Sequence, residues 1–410
     1  MSNSKPRTLA FVLAGGEGTR LLPLTAERCK PAVPFNGKHR IVDFVLSNLI
    51  NSGVTTVYLL AQHKALGLLD HVHKWNCAPP TCARAMPAVT ILQPQKREGR
   101  QGFNGTADAV AQNLHLLDIH QPDLVVVFSA DHIYRMDVEQ MIQRHVAGQA
   151  DITISTLPVP LSQSASFGVV ETDERLRIRG FREKPQSTAS MPGRPGFAMA
   201  SMGNYIFSAD VLRQELHRAD GTRESDFGKH ILPRMLASRR MLAYDFADNR
   251  VPGLADFEDC GYWRDVGTID SYFDAHFDTV GSLPKFRLAN PQWPIYARAE
   301  LSGPVSIQDT LMNNSVVGAN CVVKGARLEH AMLRCDVQVE NAAQLDHAIV
   351  MDRSVIGLGA RIVRAIIDQD NDIPAGEVIG TDLERDRLRF HVSAAGVVVV
   401  PRGYFPRVSA

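Results

Sequence analysis

Short apolar segments alternate with amphipathic stretches over about the first two thirds of the chain. Six segments of mostly apolar or β-branched residues, usually bounded by Gly, Pro, Asp or Asn, predict β-strands. They cover residues 9–14, 56–61, 124–129, 151–157, 168–171 and 203–207. Between them apolar residues recur at helical spacing, as at Phe44, Leu49 and Ile50 and within residues 107–117. This alternation predicts an α/β domain whose sheet is mostly parallel and covered by helices.

A different rhythm, with a period of six residues, begins after Trp293. Its positions are Val305, Leu311, Val317 and Val323 and, after a slip, Val337, Ala343, Ile349, Val355, Arg361, Ile367, Ile373 and Ile379. All of them are apolar except Arg361. Such periodicity is typical of a parallel β-helix, in which each coil buries apolar residues against its neighbours. A β-sandwich of short strands is the alternative, but a sandwich has no reason to keep a period of six.

The change of rhythm divides the chain into two predicted domains. We predict an α/β domain over residues 1–283, a linker over 284–300 and a β-helix over 301–410. Pro284, Pro291 and Pro294 cluster in the linker. A chain of 410 residues is also longer than one hydrophobic core usually organises.

Composition and charge narrow the possible functions. Lys and Arg together number 44, as do Asp and Glu, so no overall field attracts nucleic acid or an anionic membrane, and we expect neither partner. No apolar run approaches the roughly 20 residues that span a bilayer, and the first apolar run is too short for a signal peptide, so we expect a cytosolic protein. The six cysteines show no CxxC pair and no zinc-type spacing, which favours reduced thiols.

The segment LAGGEGTRL, residues 13–21, directly follows the first predicted strand. Gly15, Gly16 and Gly18 let the backbone turn tightly and bring N–H groups to an anion, and Arg20 adds a charged fork for phosphate oxygens. The spacing matches neither GxxxxGK[ST] nor GxGxxG, which argues against a P-loop and a dinucleotide site. We interpret this segment as a phosphate-binding loop of another type.

Two further features support that interpretation. Residues 27–40 hold four cations beside two prolines; alone they could be a solvated loop, but next to the glycine loop they predict a polyphosphate clamp. Asp131 follows a predicted strand, at the edge where open α/β sheets bind ligands. An Asp in this position can also simply cap a helix.

Ten motifs occur in an order that resembles the bacterial ADP-glucose pyrophosphorylases over nearly the whole chain. They are LAGGEGTRL, RCKPAVPF, DFVLSN, GTADAV, ADHIY, FGVV, REKP, SMGNYIF, DFGKHILP and YWRDVGT. The resemblance implies transfer of a nucleotidyl group to a sugar 1-phosphate with release of pyrophosphate, and the narrower motifs favour ATP and glucose 1-phosphate. It also implies a Rossmann-like (GT-A-like) sheet followed by a left-handed β-helix, a need for Mg²⁺, a homotetramer, and control by anionic metabolites.

The resemblance also assigns roles to individual residues. Arg20, Lys30 and Asp131 would be catalytic, and Asp131 and Asp265 would ligate Mg²⁺. The nucleotide would contact Leu13, Ala14, Gly15, Gly16, Gly18, Thr19, Gln62, Gln95, Gly105 and Thr106. Glucose 1-phosphate would contact Gly168, Glu183, Lys184, Ser201 and Tyr205. Effector anions would contact Arg28, Arg40, Arg361 and Arg364.

Lys184 is the predicted anchor of the sugar phosphate. Because Pro185 follows it, we expect an extended backbone at this position. Without the motif, Lys184 beside Glu183 would be read as a surface pair of little energetic value.

The chain departs from its relatives at two informative positions. Phe103 stands where many of them have Tyr, so a hydroxyl contact to the nucleotide is lost. Glu27 stands where some of them have a Lys that contacts the activator. A carboxylate there would repel a sugar bisphosphate, and we expect weak or altered activation by that class.

Three other functions compete with this interpretation. A related enzyme could use UTP or GTP, or a different sugar. A non-catalytic regulatory subunit could share the fold, although the predicted catalytic residues are all retained. A hexapeptide acyltransferase would use a β-helix histidine such as His330 or His347, but it would leave the amino-terminal motifs unexplained.

Overall fold

The computed structural model describes residues 5–76, 88–94, 102–219, 224–297 and 303–406. Strands of the first part are β1 (Thr8–Ala14), β2 (Pro34–Phe35), β3 (His39–Arg40), β4 (Thr56–Ala61), β5 (Val89–Leu92), β6 (Leu124–Ser129), β7 (His132–Tyr134), β8 (Ile152–Pro160), β9 (Gly168–Thr172), β10 (Ile178–Glu183), β11 (Phe197–Ser208), β12 (Met241–Asp245) and β13 (Trp263–Asp265). The helices there are α1 (Ile41–Asn51), α2 (Leu66–Asn76), α3 (Thr106–Ala111), α4 (His115–His120), α5 (Val138–Ala147), α6 (Ala209–Ala219), α7 (Leu232–Met235) and α8 (Ile269–Phe277).

Short helical turns complete the first part. Among the described residues they are the 3₁₀ turns Thr19–Leu21, Lys30–Ala32, Leu161–Ser166 and Phe246–Asp248 and the π-helical turn Phe227–Ile231. The second part contains β14 (Ser306–Gln308), β15 (Leu311–Asn313), β16 (Val316–Val317), β17 (Val322–Lys324), β18 (Arg327–Leu333), β19 (Gln338–Val339), β20 (Gln344–Val350), β21 (Val355–Ile356), β22 (Arg361–Ile367), β23 (Asp372–Ile373), β24 (Val378–Ile379), α9 (Leu383–Arg387), β25 (His391–Val392) and β26 (Val398–Val400).

The main sheet runs in the order β10-β9-β11-β6-β1-β4-β5, with β8 joining β11 to β12. β1 is parallel to β4 and β6, and β4 is parallel to β5, whereas β11 is antiparallel to β6, β8 and β9. Helices cover both faces, so a central strand such as β6, LVVVFS, is apolar on both sides. The parallel strands end at one edge of the sheet. The predicted phosphate loop follows β1 at this edge, and Asp131 follows β6 there.

The second part is a parallel β-helix. β18 pairs with β20 in parallel, and β20 with β22, each time 17 residues further along, while β15 pairs with β18 at a distance of 16 residues. Small and branched side chains fill its interior in columns, such as Leu328, Leu345, Ile362 and Ile379. The predicted succession of an α/β sheet and a β-helix is therefore confirmed.

One face of the β-helix packs on the first part of the chain. Met332, Ile349 and Ile366 occupy one column of this face and belong to the same buried cluster as Phe35 and Tyr272. Polar contacts accompany this packing, since the Arg334 guanidinium donates to the carbonyl oxygens of residues 35, 36 and 39. The segment that carries the predicted clamp is thus held against the β-helix.

No helix in the described part of the chain combines the length and the apolar character needed to cross a membrane.

Candidate active site

The predicted phosphate loop and Asp131 lie side by side because the strands that carry them are neighbours. β1 and β6 pair in parallel with Leu13 opposite Ser129, and the Ala130 N–H donates to the Leu13 carbonyl at 3.0 Å. Both strands therefore end at the same edge of the sheet. This is where ligands bind in open α/β sheets.

Gly18 sets the shape of the phosphate loop. Its φ of 67° lies in the left-handed region, which favours glycine, and a Cβ there would come within 3.1 Å of Thr25 Cγ2. The Thr25 hydroxyl donates to the Gly18 carbonyl at 2.8 Å. Gly15 and Gly16, in contrast, have open space around them and line a cavity. The loop backbone is thus accessible to a ligand.

Lys30 joins the two predicted metal-binding carboxylates. Its Nζ lies 3.0 Å from Asp131 Oδ2 and 3.0 Å from Asp265 Oδ1, and the side chain is only 8% exposed. Asp265 reaches this point because β13 pairs with β7, which places it opposite His132. Burial disfavours the charged lysine, but the two carboxylates outweigh burial and raise the pKa of Lys30.

Asp131 is held by further contacts. Its Oδ1 accepts a hydrogen bond from the Ser129 hydroxyl at 2.6 Å and lies 3.3 Å from His132 Nε2. Burial acts to raise the pKa of Asp131, but His132, Lys30 and Ser129 together hold it well below its usual range. Two carboxylates that already share one cation supply the oxygen ligands that Mg²⁺ prefers. The residues present therefore fit Mg²⁺.

A cavity of about 520 Å³ opens beside the phosphate loop. Its wall includes the predicted nucleotide-binding residues that the structure describes, namely Leu13, Ala14, Gly15, Gly16, Gly18, Thr19, Gln62, Gly105 and Thr106. Gln95 lies outside the described residues. Phe103, the substitution noted above, also lines this cavity, and its N–H donates to Gln62 Oε1 at 2.6 Å.

Thr106 and Gly105 are fixed by a neighbouring turn. The Thr106 hydroxyl lies 3.1 Å from Asp226 Oδ2 and accepts a hydrogen bond from the Phe227 N–H at 3.0 Å. A Cβ at Gly105 would lie 2.4 Å from the Ser225 carbonyl oxygen, so no larger residue fits without a shift. The GTADAV and DFGKHILP motifs therefore meet at the cavity wall.

A second cavity of about 300 Å³ contains the predicted sugar-binding residues, which are Gly168, Glu183, Lys184, Ser201 and Tyr205. A Cβ at Gly168 would come within 3.0 Å of Glu183 Oε2, so the glycine leaves room for that carboxylate. Burial, reinforced by Asp226 and opposed by Lys184, raises the pKa of Glu183. Ser201 and Tyr205 flank a bulge in β11, a feature often found beside active sites.

The backbone at Lys184 corrects one expectation. Its φ is 46°, in the left-handed region and not extended, and its N–H donates to the Phe167 carbonyl at 3.0 Å. This hydrogen bond favours the conformation although a proline follows. The side chain is 60% exposed and its Nζ lies 3.8 Å from Glu183 Oε1, so the ammonium remains accessible to a ligand.

The predicted effector residues occupy different environments. Arg28 is buried and bonded through both terminal nitrogens to Asp368, at 2.9 and 3.2 Å. Arg40 donates to the Ala32 carbonyl at 2.6 Å. Arg361 is exposed on β22, and Arg364 donates to the Ala395 carbonyl at 3.2 Å. An anion that binds Arg28 would have to compete with the Asp368 carboxylate.

Comparison with known proteins identifies relatives of both parts of the chain. A family model for nucleotidyl transferases matches residues 9–281, and one for a GlmU-like C-terminal hexapeptide matches residues 304–400. The glucose-1-phosphate adenylyltransferase of Thermodesulfovibrio yellowstonii is 43% identical over 399 residues, which are 97% of this chain and 96% of the relative. The enzyme of the same name from Anaeromyxobacter sp. is also 43% identical, over 97% of this chain and 98% of its own.

The chain belongs to the glucose-1-phosphate adenylyltransferase family. The resemblance stated from the motifs is thereby confirmed. A relative from Vibrio parahaemolyticus, named glucose-1-phosphate adenylyltransferase 1, is 40% identical over 96% of this chain, so the similarity again covers both parts of the chain.

Several residues of this family member's site were not singled out from the sequence. Ser129 and His132 contact Asp131, the His132 ring packs 4.7 Å from that of Trp263, and Asp226 lines both cavities. His132, Trp263 and Asp226 lie inside quoted motifs, and Ser129 directly precedes one. Their position within or beside these motifs was the available signal, but the contacts themselves depend on strand pairing.

Proposed function

We propose that the chain transfers the adenylyl group of ATP to α-D-glucose 1-phosphate, producing ADP-glucose and pyrophosphate for glycogen or another α-glucan. The observation that carries the proposal is the common wall of the two cavities. Residues in this wall include Leu13, Arg20, Thr106, Ser129 and Asp131. Two substrates bound in the two cavities would therefore meet beside a cationic and an anionic side chain.

In the proposed reaction, a phosphate oxygen of the sugar phosphate attacks the α-phosphorus of ATP in line with the leaving group. A new P–O bond forms, the bond from the α-phosphorus to the bridging oxygen breaks, and pyrophosphate leaves with the electron pair. No covalent enzyme intermediate is needed, so catalysis consists of positioning and charge neutralisation. Arg20 and Lys30 would neutralise the triphosphate and the departing pyrophosphate.

Asp131 and Asp265 would hold Mg²⁺. When bound, this ion supplies positive charge to the phosphate oxygens. Lys30 Nζ lies 3.0 Å from an oxygen of each carboxylate and holds the two side chains close together. Ser129 and His132 orient Asp131, so the chain presents its carboxylates in a fixed arrangement.

On the sugar side, Lys184 would bind the phosphate of glucose 1-phosphate. Glu183, Ser201 and Tyr205 would form hydrogen bonds with the glucose hydroxyls. These bonds would discriminate against sugars that lack the hydroxyls. Gly168 would keep the space that Glu183 needs.

The proposal extends to assembly and control. It includes a homotetramer in the cytosol, with Arg28, Arg40, Arg361 and Arg364 as candidate contacts for anionic effectors. Exposed apolar residues at the first coil of the β-helix support self-association, for example Leu311, which is 72% exposed. Light scattering coupled to size-exclusion chromatography tests the tetramer, which a monomeric mass would contradict.

The catalytic proposal is tested by pyrophosphate release with glucose 1-phosphate and Mg²⁺. ATP, UTP, GTP, CTP and dTTP are compared for the wild type, Asp131→Asn and Asp123→Asn. Asp123 is the matched control because it directly precedes β6, at the opposite end of that strand from Asp131, and is exposed. We expect activity mainly with ATP, lost in Asp131→Asn and kept in Asp123→Asn.

Preference for another triphosphate would overturn the choice of ATP but leave the reaction type. Absence of activity with every triphosphate would overturn the reaction and favour a regulatory subunit. Full activity of Asp131→Asn would remove that carboxylate from the mechanism.

A further inference from the structure

Two histidines of the β-helix stack on each other, away from the residues of the active site. The rings of His330 and His347 lie 4.5 Å apart between centroids, with 19° between their planes. They reach this position because β18 and β20 pair with Glu329 opposite Asp346 and Ala331 opposite Ala348. The parallel pairing of two coils thus fixes the separation of the two imidazoles.

A carboxylate completes the group. Single donor atoms of His330, His347 and Asp346 all lie within 4.8 Å of one another. His347 Nδ1 lies 2.7 Å from Asp346 Oδ1, and His330 Nδ1 lies 3.5 Å from Glu329 Oε1. At His347 the hydrogen bond from Nδ1 to Asp346 leaves Nε2 with its lone pair, which is the arrangement seen around metal-binding histidines. His330 Nδ1 is buried and makes no hydrogen bond within the described part of the chain.

The Asn314 amide indicates which nitrogen of His330 carries the lone pair. Its Nδ2 lies 3.3 Å from His330 Nε2, and since an amide nitrogen can only donate, Nε2 is the acceptor. A cation bound at Nε2 would take the place of this amide. The three side chains are 34%, 43% and 51% exposed for His330, His347 and Asp346. A cation from solution can therefore reach them.

Backbone conformation alone offers a simpler reason for these residue types. Asn314, His330, His347 and Arg364 occupy one column of consecutive coils, and all have φ between 44° and 48°. Asn and His are enriched in this left-handed region. That preference explains a polar residue at each position, but it does not explain two stacked imidazoles with a carboxylate beside them.

We propose that His330, His347 and Asp346 bind a divalent transition-metal ion of the zinc class. Two imidazole nitrogens and one carboxylate oxygen are ligands for Zn²⁺, whereas Mg²⁺ prefers oxygen alone. The ion would link two coils next to the packing contact with the first part of the chain, since the His347 ring lies 5.4 Å from that of Phe277 in α8. The site shares no residue with the catalytic carboxylates.

The test measures how much Zn²⁺ the full chain binds, by equilibrium dialysis followed by elemental analysis. Mg²⁺ is present in excess. The Mg²⁺ competes for Asp131 and Asp265. Wild type is compared with the double variant His330→Asn/His347→Asn, with Asp346→Asn and with the control His391→Asn. Asn suits the left-handed backbone, as Asn314 shows in the same column, and His391 is an exposed β-helix histidine outside the cluster.

We expect the wild type and His391→Asn to bind about one Zn²⁺ per chain at this site. Affinity should fall at least about tenfold in the double variant and less in Asp346→Asn. Zn²⁺ should also raise the thermal unfolding midpoint of the wild type and not that of the double variant. Equal Zn²⁺ binding by the double variant, or no binding by the wild type, would overturn the proposal whether or not the chain is active as an enzyme.

Discussion

The ion pair between Arg28 and Asp368 connects the segment before Lys30 to the β-helix, and replacing Asp368 by Asn tests its contribution to stability. The two guanidinium nitrogens donate to the two carboxylate oxygens at 2.9 and 3.2 Å, and the side chains are 7% and 2% exposed. Asp368→Asn leaves the guanidinium buried opposite a neutral amide. Breaking one side of a buried pair costs about 3–5 kcal/mol in the free energy of unfolding.

A neighbouring ion pair provides the control. Glu27 and Arg402 also join the two parts of the chain, with 3.0 Å between Glu27 Oε2 and Arg402 Nη1, but they are 62% and 42% exposed. Solvent screens this pair, so Glu27→Gln should cost no more than about 1 kcal/mol. Urea unfolding of both variants and the wild type, followed by circular dichroism and tryptophan fluorescence, measures the difference.

The double variant Arg28→Met/Asp368→Leu separates the loss of an attraction from the burial of an unpaired charge. Because both charges are removed, its stability should return to within about 1–2 kcal/mol of the wild type. The reasoning is refuted if Asp368→Asn costs no more than Glu27→Gln, or if the double variant costs as much as the sum of its own single variants, Arg28→Met and Asp368→Leu.

Three further predictions concern single positions. Lys184→Gln should raise the KM for glucose 1-phosphate about ten- to a hundredfold with little change in kcat, because one charge-assisted phosphate contact is lost. A fall in kcat with an unchanged KM would argue against a binding role. Gly105→Ala should lower the free energy of unfolding by about 1–3 kcal/mol, since its Cβ would lie 2.4 Å from the Ser225 oxygen, whereas Gly67→Ala in α2, with open space around it, should not destabilise the chain. Fructose 1,6-bisphosphate should stimulate the initial rate less than about tenfold because the Glu27 carboxylate repels it; a larger stimulation would contradict this expectation.

The central strands could be predicted closely because burial on both faces leaves a plain apolar pattern. The predictions for β4 and β6 match the observed bounds, and β1 begins one residue earlier, at Thr8. The strand predicted at 203–207 is longer, because β11 continues through a bulge to Phe197. The helical stretch predicted at 107–117 is divided into two helices, α3 and α4. Between them the backbone N–H groups of Asn113 and Leu114 donate to carbonyl oxygens three residues earlier, not four.

The six-residue period was enough to predict a β-helix, but it did not predict which face of the β-helix each residue occupies. Each coil advances by 16 or 17 residues, so a strict period of six, or 18 per coil, drifts from one face to the next. Ile349 therefore packs toward the first part of the chain, Arg361 is exposed and Ile367 lies in the interior. The domain limits at residues 283 and 300 stay predictions.

The candidate site shows the same division between local and distant information. The motifs identified Asp131, Asp265 and Lys30 as site residues, although these residues lie far apart in sequence. No local pattern predicts that the Lys30 ammonium contacts both carboxylates. That contact depends on the pairing of β13 with β7 and on the position of residues 28–40. Likewise, the motif at Lys184 predicted a ligand contact, while its left-handed backbone depends on a hydrogen bond to Phe167.

Residues 28–40 form one short segment that connects the β-helix with the carboxylates of Asp131 and Asp265. Arg28 bonds to Asp368, and Lys30, two residues later, bonds to Asp131 and Asp265. Further along, the Arg334 guanidinium of the β-helix donates hydrogen bonds to the carbonyl oxygens of residues 35, 36 and 39. Because both ends of the segment are bonded to the β-helix, a shift of that packing face would displace Lys30. The position of Lys30 at the Asp131 and Asp265 carboxylates is thus set in part by the β-helix, which contributes neither carboxylate.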